Sequence, residues 1–462
     1  MHSDTTVAAG LPSGPFAAGH LGELTQQIPF EMVDAALAET RTAQRRVRDL
    51  PARVVVYLLL AGALFADLGY RQVWHRLVAG LGGAGIPSPT AGALTQARRR
   101  LGTKPMRFLF DLLRGPAAAL STRASGVYWR GLLVCVIDGT VMSVPDSPAN
   151  LGRFTKHAAR RGQAGYPAVR LVALVACGTR NILDAVFGPT SVGEPVYARR
   201  LVPSLRKGML LLGDRFYGAG PLLRGVVANG AAFLIRVKIG RTGPKLPVLQ
   251  RLPDGSYLST FGGIAVRVVD AEITIATEAG KTTGIYRLMT TLLDARQHPA
   301  TELVSLYHER WEIETAYLEL KSSILGGRVL RARTPAGLEQ EIYALLITYQ
   351  ILRTAMADAT SSQPDIDPDR ASFTVALNAA RDLVIQAAGR IAGTTIDLVG
   401  HIGRVVLDNL LPNRRIRTSP RVTKRPLSKY SARAPGTKPT SYNATLTINI
   451  FSKSHSTTGP EP

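Results

Sequence analysis

The chain has 462 residues, 45% of them hydrophobic, which is enough for two or three domains with a sizeable core. Its 56 Lys and Arg residues outnumber its 33 Asp and Glu residues, and the net charge of +23 strongly favours a nucleic-acid partner. Ribosomal and membrane-surface proteins share such a charge, but ribosomal proteins are usually shorter, and here the charge is spread through an otherwise globular sequence.

The first part of the chain is predicted to be helical. Residues 1–20 are small and rich in Gly and Pro, which indicates a mobile tail, and residues 21–125 form a predicted helical domain that we expect to bind DNA. Its longest apolar run, Val54 to Ala66, is too short to span a bilayer, so no membrane partner and a cytoplasmic location are expected. A basic helix carries Arg98 to Arg100, which either contact DNA or face solvent.

Residues 126–238 have the pattern of a mixed α/β sheet. Continuous apolar runs, typical of buried strands, alternate with helical segments in the order three strands, helix, strand, helix, strand. Cys135 and Cys177 lie in these runs, which predicts buried free thiols and a reducing compartment, with a disulfide between neighbouring strands as the alternative. The predicted strands start near Gly131, Val169, Ile182, Met209 and Ala231.

The rest of the chain divides into three parts. Residues 239–284 are short, Gly- and Pro-punctuated strands, which predicts a β-rich insertion. Residues 285–403 return to helical patterns. Residues 404–462 are predicted to be a basic, disordered tail, because ten Lys or Arg but only Asp408 lie between positions 404 and 438.

Two predicted strands end in a carboxylate. Asp138 closes one apolar run and Asp214 closes another. A carboxylate at the end of a buried strand is costly unless it is neutralised, and a divalent cation is a common partner. Hard cations such as Mg²⁺ prefer oxygen ligands, and two of them about 4 Å apart can activate an attacking oxygen and stabilise a leaving one. Either Asp alone is more often an ordinary turn or cap residue.

A later helix supplies a third carboxylate. At about 100° per residue, Tyr307, Arg310, Glu314 and Lys321 lie within roughly 60° of one another. An apolar stripe that includes Ile313 runs beside them. A carboxylate among a phenol and two cations is unusual for a solvated face and suits a metal ion together with a polyanion.

These three segments resemble the signatures of a known family. Val136-Ile-Asp138-Gly-Thr, Leu212-Gly-Asp214-Arg-Phe-Tyr217 and the Tyr307, Arg310, Glu314, Lys321 spacing are similar to those of the insertion sequence 4 family of DDE transposases. The third segment matches the family spacing at every position. The resemblance runs from about Phe30 to about Arg404, whereas the sequence from about Val422 departs from the family pattern.

The resemblance implies a fold and a reaction. The expected fold is an RNase H-like mixed α/β sheet with helices, a β-rich insertion and a helical N-terminal domain. Asp138, Asp214 and Glu314 would bind two Mg²⁺ ions, for which Mn²⁺ can substitute. The reaction would be cleavage at the transposon ends, followed by attack of the freed 3′-hydroxyl on target DNA.

The resemblance also implies DNA contacts. Tyr307, Arg310 and Lys321 would hold phosphates of the transposon end. Trp311 and Tyr286 are alternative candidates for holding a flipped base if the reaction passes through a hairpin. From their charge alone, further residues are expected to contact the DNA backbone: Arg215, Arg153, Lys156, Arg160 and Arg161.

The expected partners are double-stranded DNA, as terminal inverted repeats and target, and a second copy of the chain in a homodimeric synaptic complex. The expected location is the cytoplasm of a bacterium, in association with the nucleoid. A structure-specific nuclease of the same core and a non-catalytic, domesticated DNA-binding protein are the alternatives. The presence of all three carboxylates argues against the second.

Overall fold

The computed structural model describes residues 21–44, 46, 48–79, 87–115, 128–159, 162–278, 280–363, 365–386, 400–412, 417–418 and 442–451. The predicted mobile tail, 1–20, lies outside these residues. Within them, no helix is both long and apolar enough to cross a bilayer.

A mixed sheet forms the centre of the fold. Its core strands are β2 (Leu132–Ser143), β5 (Ala168–Ala176), β6 (Ile182–Pro189), β7 (Met209–Gly213) and β8 (Ala232–Val237), and they are arranged in the order β6-β5-β2-β7-β8. The first three are antiparallel, and β7 and β8 run parallel to β2. This is the strand order of an RNase H-like core, so the predicted fold class is confirmed. Short strands β1 (Tyr128–Trp129), β3 (His157–Ala159) and β4 (Gly162–Ala164) lie beside it.

One face of the sheet carries two helices. These are α8 (Glu194–Leu201) and α9 (Gly220–Ala228), and a four-residue helix α7 (Pro148–Leu151) lies earlier in the chain. Tyr197 and Leu223 from these helices pack on Leu133, Cys135 and the other odd-numbered apolar residues of β2. Both cysteines are buried free thiols, as predicted. This face is a conventional apolar layer.

The opposite face is covered by a long central helix and the N-terminal helices. The central helix, α12 (Pro335–Ser361), starts with Thr334, whose hydroxyl accepts from the Gly337 N–H, and with proline at its first position, both favourable at a helix start. Helices α13 (Phe373–Gln386) and α14 (His401–Asp408) pack beside it. The N-terminal helices are α1 (Leu24–Gln27), α2 (Phe30–Glu39), α3 (Ala52–Leu64), α4 (Tyr70–Leu77), α5 (Ala91–Leu101) and α6 (Lys104–Leu113).

Arginine side chains connect the N-terminal helices to α12. Arg331 donates to Glu341 on α12 and to the Gly62 carbonyl at 2.7 Å, and its guanidinium lies 4.5 Å from the centre of the partly buried Tyr70 ring. Arg98 stacks on the same ring at 4.0 Å. Arg98 is therefore committed to packing, whereas its neighbours Arg99 and Arg100 are exposed. Of the predicted basic stretch, only those two are free to meet DNA.

The β-rich insertion extends the sheet. Strands β9 (Gln250–Arg251), β10 (Tyr257–Phe261), β11 (Ile264–Thr277) and β12 (Gly280–Thr290) form antiparallel pairs, and β12 joins the core through β8. The sheet continues into the last part of the chain. Strand β14 (Tyr442–Ile450) pairs antiparallel with β11, and the two-residue strand β13 (Arg417–Thr418) pairs with β14.

Two predictions for the tail from residue 404 to 462 need correction. Tyr442–Ile450 is an ordered strand because alternating Thr, Leu and Ile residues suit a half-buried pleat. Residue 404 is also not a boundary, since it lies within α14. The other residues of the predicted tail beyond 412, apart from β13 and Phe451, lie outside the described residues.

Candidate active site

Two carboxylates lie side by side at the centre of the sheet. Strands β2 and β7 are parallel neighbours, with Val136 opposite Leu212. Two residues further along each strand come Asp138 and Asp214, and adjacent strands are about 4.8 Å apart. Val136 and Leu212 face α12 and the N-terminal helices, so alternation directs Asp138 and Asp214 to that same face.

Asp138 lies in a partly buried, mostly acidic environment. Burial raises its pKa to about 7, and the charges of Asp214 and Glu194 add to the effect, while the Gly139 N–H and Arg310 oppose it. The Gly139 N–H donates to Asp138 Oδ1 at 2.8 Å, and the Tyr317 hydroxyl donates to the Asp138 carbonyl at 2.6 Å. These bonds fix the position of Asp138. The raised pKa shows that the surrounding protein does not fully stabilise the ionised carboxylate.

The helix that carries the third carboxylate is not a uniform α-helix. Helix α10 (Ala300–Tyr307) passes through one 3₁₀ turn, His308–Arg310, into α11 (Trp311–Leu318), which is followed by a π-helical turn at Glu319–Ile324. The predicted helix is therefore continuous, but its rotation is not that of an α-helix throughout. The changes of hydrogen-bonding pattern alter the rotation per residue, so contacts rather than wheel angles decide which side chains share a face.

Those contacts bring two of the four predicted side chains to β2 and β7. The Tyr307 hydroxyl donates to the Gly213 carbonyl at 3.2 Å, next to Asp214. Lys321 Nζ donates to Thr140 Oγ1 at 3.1 Å, two residues beyond Asp138.

Arg310 interacts with both Glu314 and Asp138. Its guanidinium donates to Glu314 Oε1 at 3.1 Å. Burial alone would lower the pKa of Arg310, but the charges of Tyr307, Glu314 and Asp138 raise it. Arg310 thus lies within electrostatic reach of both Glu314 and Asp138.

The donor set suits a hard divalent cation, although it is not fully assembled. Asp138 and Asp214 are adjacent carboxylates, and oxygen donors of this kind are what Mg²⁺ and Mn²⁺ prefer. Within the described part of the chain, no three His, Cys, Asp or Glu side chains are already gathered as a metal site. Glu314 is paired with Arg310 instead, as expected for a carboxylate next to an available guanidinium. Asp138 and Asp214 together fit a metal ion. Glu314 would have to leave Arg310 to become a third ligand of that ion.

The raised pKa of Asp138 predicts a pH-dependent stability in the presence of a chelator. Between its ordinary value of 3.8 and about 7, the folded protein keeps a proton that the unfolded chain releases, so stability falls as pH rises through this window. Asp138→Asn removes this effect and should gain about 2 to 3 kcal/mol over the parent between pH 5 and pH 8. Urea unfolding of both proteins measures the gain, and a stability difference that is the same at both pH values would contradict it.

The predicted basic contacts differ in their surroundings. Arg215 and Arg153 are exposed. Lys156 is paired with Asp146 at 2.8 Å, so its charge is partly compensated within the protein. Arg160 and Arg161 lie outside the described residues. Of the two aromatic candidates, Trp311 is 48% exposed, whereas Arg236 covers the Tyr286 ring at 3.9 Å.

Glu194 was missed by the sequence analysis. An added Cβ at Gly139 would lie 2.8 Å from the Glu194 Cδ, so the absence of a side chain at Gly139 allows this carboxylate to approach the strand beside Asp138. Arg170 Nε lies 3.6 Å from Glu194 Oε1. Its position at the start of α8 was the only local signal, and that is an ordinary place for an acidic residue.

Comparison with known proteins identifies the family. Residues 18–111 match the model of the insertion element 4 transposase N-terminal domain, and residues 129–351 match that of the transposase DDE domain. The chain is 27% identical over 421 residues to the transposase InsG for insertion sequence element IS4 of Escherichia coli (strain K12), covering 89% of this chain and 93% of that protein. The chain belongs to the insertion sequence 4 family of DDE transposases. It is a DNA-cleaving, strand-transferring enzyme that depends on a divalent metal, and it binds DNA.

Two further comparisons of this DDE transposase cover less of the chain or have a lower identity. A putative transposase InsZ of Escherichia coli (strain K12) is 29% identical over 200 residues, covering 43% of this chain and 64% of that one. A cryo-EM structure of the piggyBac transposase synaptic complex with hairpin DNA covers 86% of both chains with 12% identity and a TM-score of 0.43. The predicted family, fold class and function are confirmed, in preference to the nuclease and the domesticated DNA-binding protein.

Proposed function

We propose that this transposase cuts and pastes its element with Asp138, Asp214 and Glu314 as ligands of two Mg²⁺ ions, which Mn²⁺ can replace. The observation that carries the proposal is the parallel pairing of β2 and β7, which sets two carboxylates level with each other on the face that α11 covers. When bound, the metal ions would supply charge stabilisation to the attacking and leaving oxygens.

The protein groups around the carboxylates have distinct tasks. Arg310 can donate through its planar fork to a phosphate, and when it does so it releases Glu314. Lys321 presents a point charge beside Thr140. Tyr307 fixes the position of the segment by its bond to the Gly213 carbonyl. Arg215 and Arg153 contact the DNA backbone further out, since both are exposed cations.

The substrates are the terminal inverted repeats of the element and a target duplex. Hydrolysis at the transposon end frees a 3′-hydroxyl, which then attacks the target. A homodimer holds the two ends together, and the net charge of +23 keeps the protein on DNA in the nucleoid.

Incubation of the purified protein with a labelled transposon-end duplex, a target plasmid and Mg²⁺ tests the proposal. The expected products are cleaved ends and ends joined covalently to the plasmid. Cleavage without joined products would favour a nuclease, and retained end binding without either product would favour a non-catalytic DNA-binding protein.

A further inference from the structure

The turn between β5 and β6 contains an arginine in an unusual backbone conformation. Arg180 has a φ of 58°, a left-handed geometry that costs a residue with a side chain on the order of 1 kcal/mol or more. Gly and Asn normally occupy such a position. Arg180 is also only 6% exposed, so its guanidinium points into the protein rather than into solvent.

The Arg180 guanidinium donates hydrogen bonds to three carboxylates, one from each of its nitrogens. Nε donates to Glu312 Oε2 at 2.7 Å, Nη2 donates to Asp369 Oδ1 at 2.6 Å, and Nη1 donates to Glu319 Oε1 at 3.4 Å. Glu312 has no exposed surface. The planar fork of arginine can satisfy three acceptors in different directions, which the single ammonium of lysine does less well.

A second layer of contacts closes the cluster. Arg353 on α12 pairs with Glu319, and the Tyr349 hydroxyl lies 3.0 Å from Glu319 Oε2 and 3.2 Å from the Arg180 carbonyl. The β5–β6 turn, α11, the π-helical turn and α12 are thus joined by charges and hydrogen bonds at one buried point.

Glu312 and Glu319 lie on either side of Glu314 in the chain. Arg180 therefore holds the segment at two places, one before Glu314 and one after it. The second place is the π-helical turn, a rare geometry that occurs often at functional sites. Beyond it, Lys321 reaches Thr140 on the strand of Asp138.

We propose that Arg180 is a positioning residue for transposition: through Glu312 and Glu319 it fixes the depth and rotation of α11 at which Glu314 can meet Asp138 and Asp214. The proposal rests on the metal-binding function proposed for Glu314. Stability alone does not account for this cluster, since buried charge pairs contribute little compared with apolar side chains of similar size. Fixing the orientation of α11 requires hydrogen bonds in several directions, which the planar guanidinium of arginine provides.

Two variants test the role of Arg180. Arg180→Lys keeps the charge but loses most of the fork, and the double variant Arg180→Met with Glu312→Leu removes one cation together with one anion. The matched control, Arg287→Met with Asp270→Leu, removes a partly buried ion pair between β11 and β12, outside α11. Circular dichroism and thermal melts establish the folded fraction of each protein.

Single-turnover cleavage of a transposon-end duplex is measured over a range of Mn²⁺ concentrations, and end binding is measured in Ca²⁺. We expect both Arg180 variants to bind the end within about twofold of the parent. Their cleavage rate should fall, and their half-saturating Mn²⁺ concentration should rise, by about 10- to 100-fold, the usual cost of losing a group that orients a metal ligand. The control should keep the parental Mn²⁺ dependence.

Parental rates and Mn²⁺ dependence in both folded Arg180 variants would overturn the proposal. So would a loss of rate that follows the folded fraction with an unchanged half-saturating concentration. If the double variant does not fold, Arg180→Lys decides by the same criteria. Failure of the proposed function is distinguishable, because the parent itself would then show no metal-dependent cleavage.

Discussion

Replacing any one of Asp138, Asp214 and Glu314 by alanine is expected to reduce Mg²⁺-dependent cleavage of a transposon-end duplex by about 10³-fold or more. The stabilisation of developing charge by a bound metal is worth several kcal/mol, and each 1.36 kcal/mol is a factor of ten in rate. Because the DNA grip is assigned to other side chains, end binding in Ca²⁺ should stay within a few-fold of the parent. Denaturing gels of a labelled duplex measure the cleavage.

Asp382→Ala is the matched control for these variants, since Asp382 is an exposed carboxylate on α13. It should cleave at the parental rate. Full cleavage by an alanine variant of Asp138, Asp214 or Glu314 would remove that residue from the proposed site. Loss of cleavage together with loss of end binding would instead indicate a damaged fold or a direct role in the DNA grip.

Lys321→Met should weaken binding of the transposon end by about tenfold at moderate salt. Lys321 is held beside Thr140, close to where the proposed scissile phosphate would lie, and one lost phosphate contact reduces the slope of log affinity against log salt by about one. Fluorescence anisotropy at several salt concentrations measures both the affinity and the slope.

Lys321→Arg preserves the charge and serves as the control, with a slope equal to that of the parent. Parental affinity and slope in Lys321→Met would contradict the phosphate contact. A weakened affinity with an unchanged slope would assign Lys321 to packing against β2 rather than to DNA.

The strands that carry Asp138 and Asp214 could be predicted from the sequence because their signals are local. Asp138 and Asp214 each follow a continuous apolar run, and such runs become buried strands wherever both faces of a sheet are covered. That their strands are parallel neighbours is a property of topology, which local patterns do not show. The same holds for the position of α11 beside β2.

Three features could not be read from local patterns. The 3₁₀ and π-helical turns around α11 keep the apolar spacing of a helix while changing its hydrogen bonds, so periodicity does not reveal them. Strand β14 has the alternating pattern of a strand, but it lies in a region whose basic, Pro- and Ser-rich composition is typical of disorder. Arg180 and Glu312 are 132 residues apart in the sequence, and no local pattern around Arg180 predicts their contact.

If Asp138, Asp214 and Glu314 share divalent metal, each of them must contribute to the binding of Mn²⁺. Electron paramagnetic resonance measures the concentration of free Mn²⁺, and the amount bound follows by difference from the total. The titrations are made with an end duplex for the parent and for three variants: Asp138→Asn, Asp214→Asn and Glu314→Gln. We expect two ions bound to the parent and an affinity weaker by at least about tenfold in every variant. A Glu314→Gln titration that superimposes on that of the parent would contradict it, because Glu314 would then remain the partner of Arg310 and no ligand of the metal.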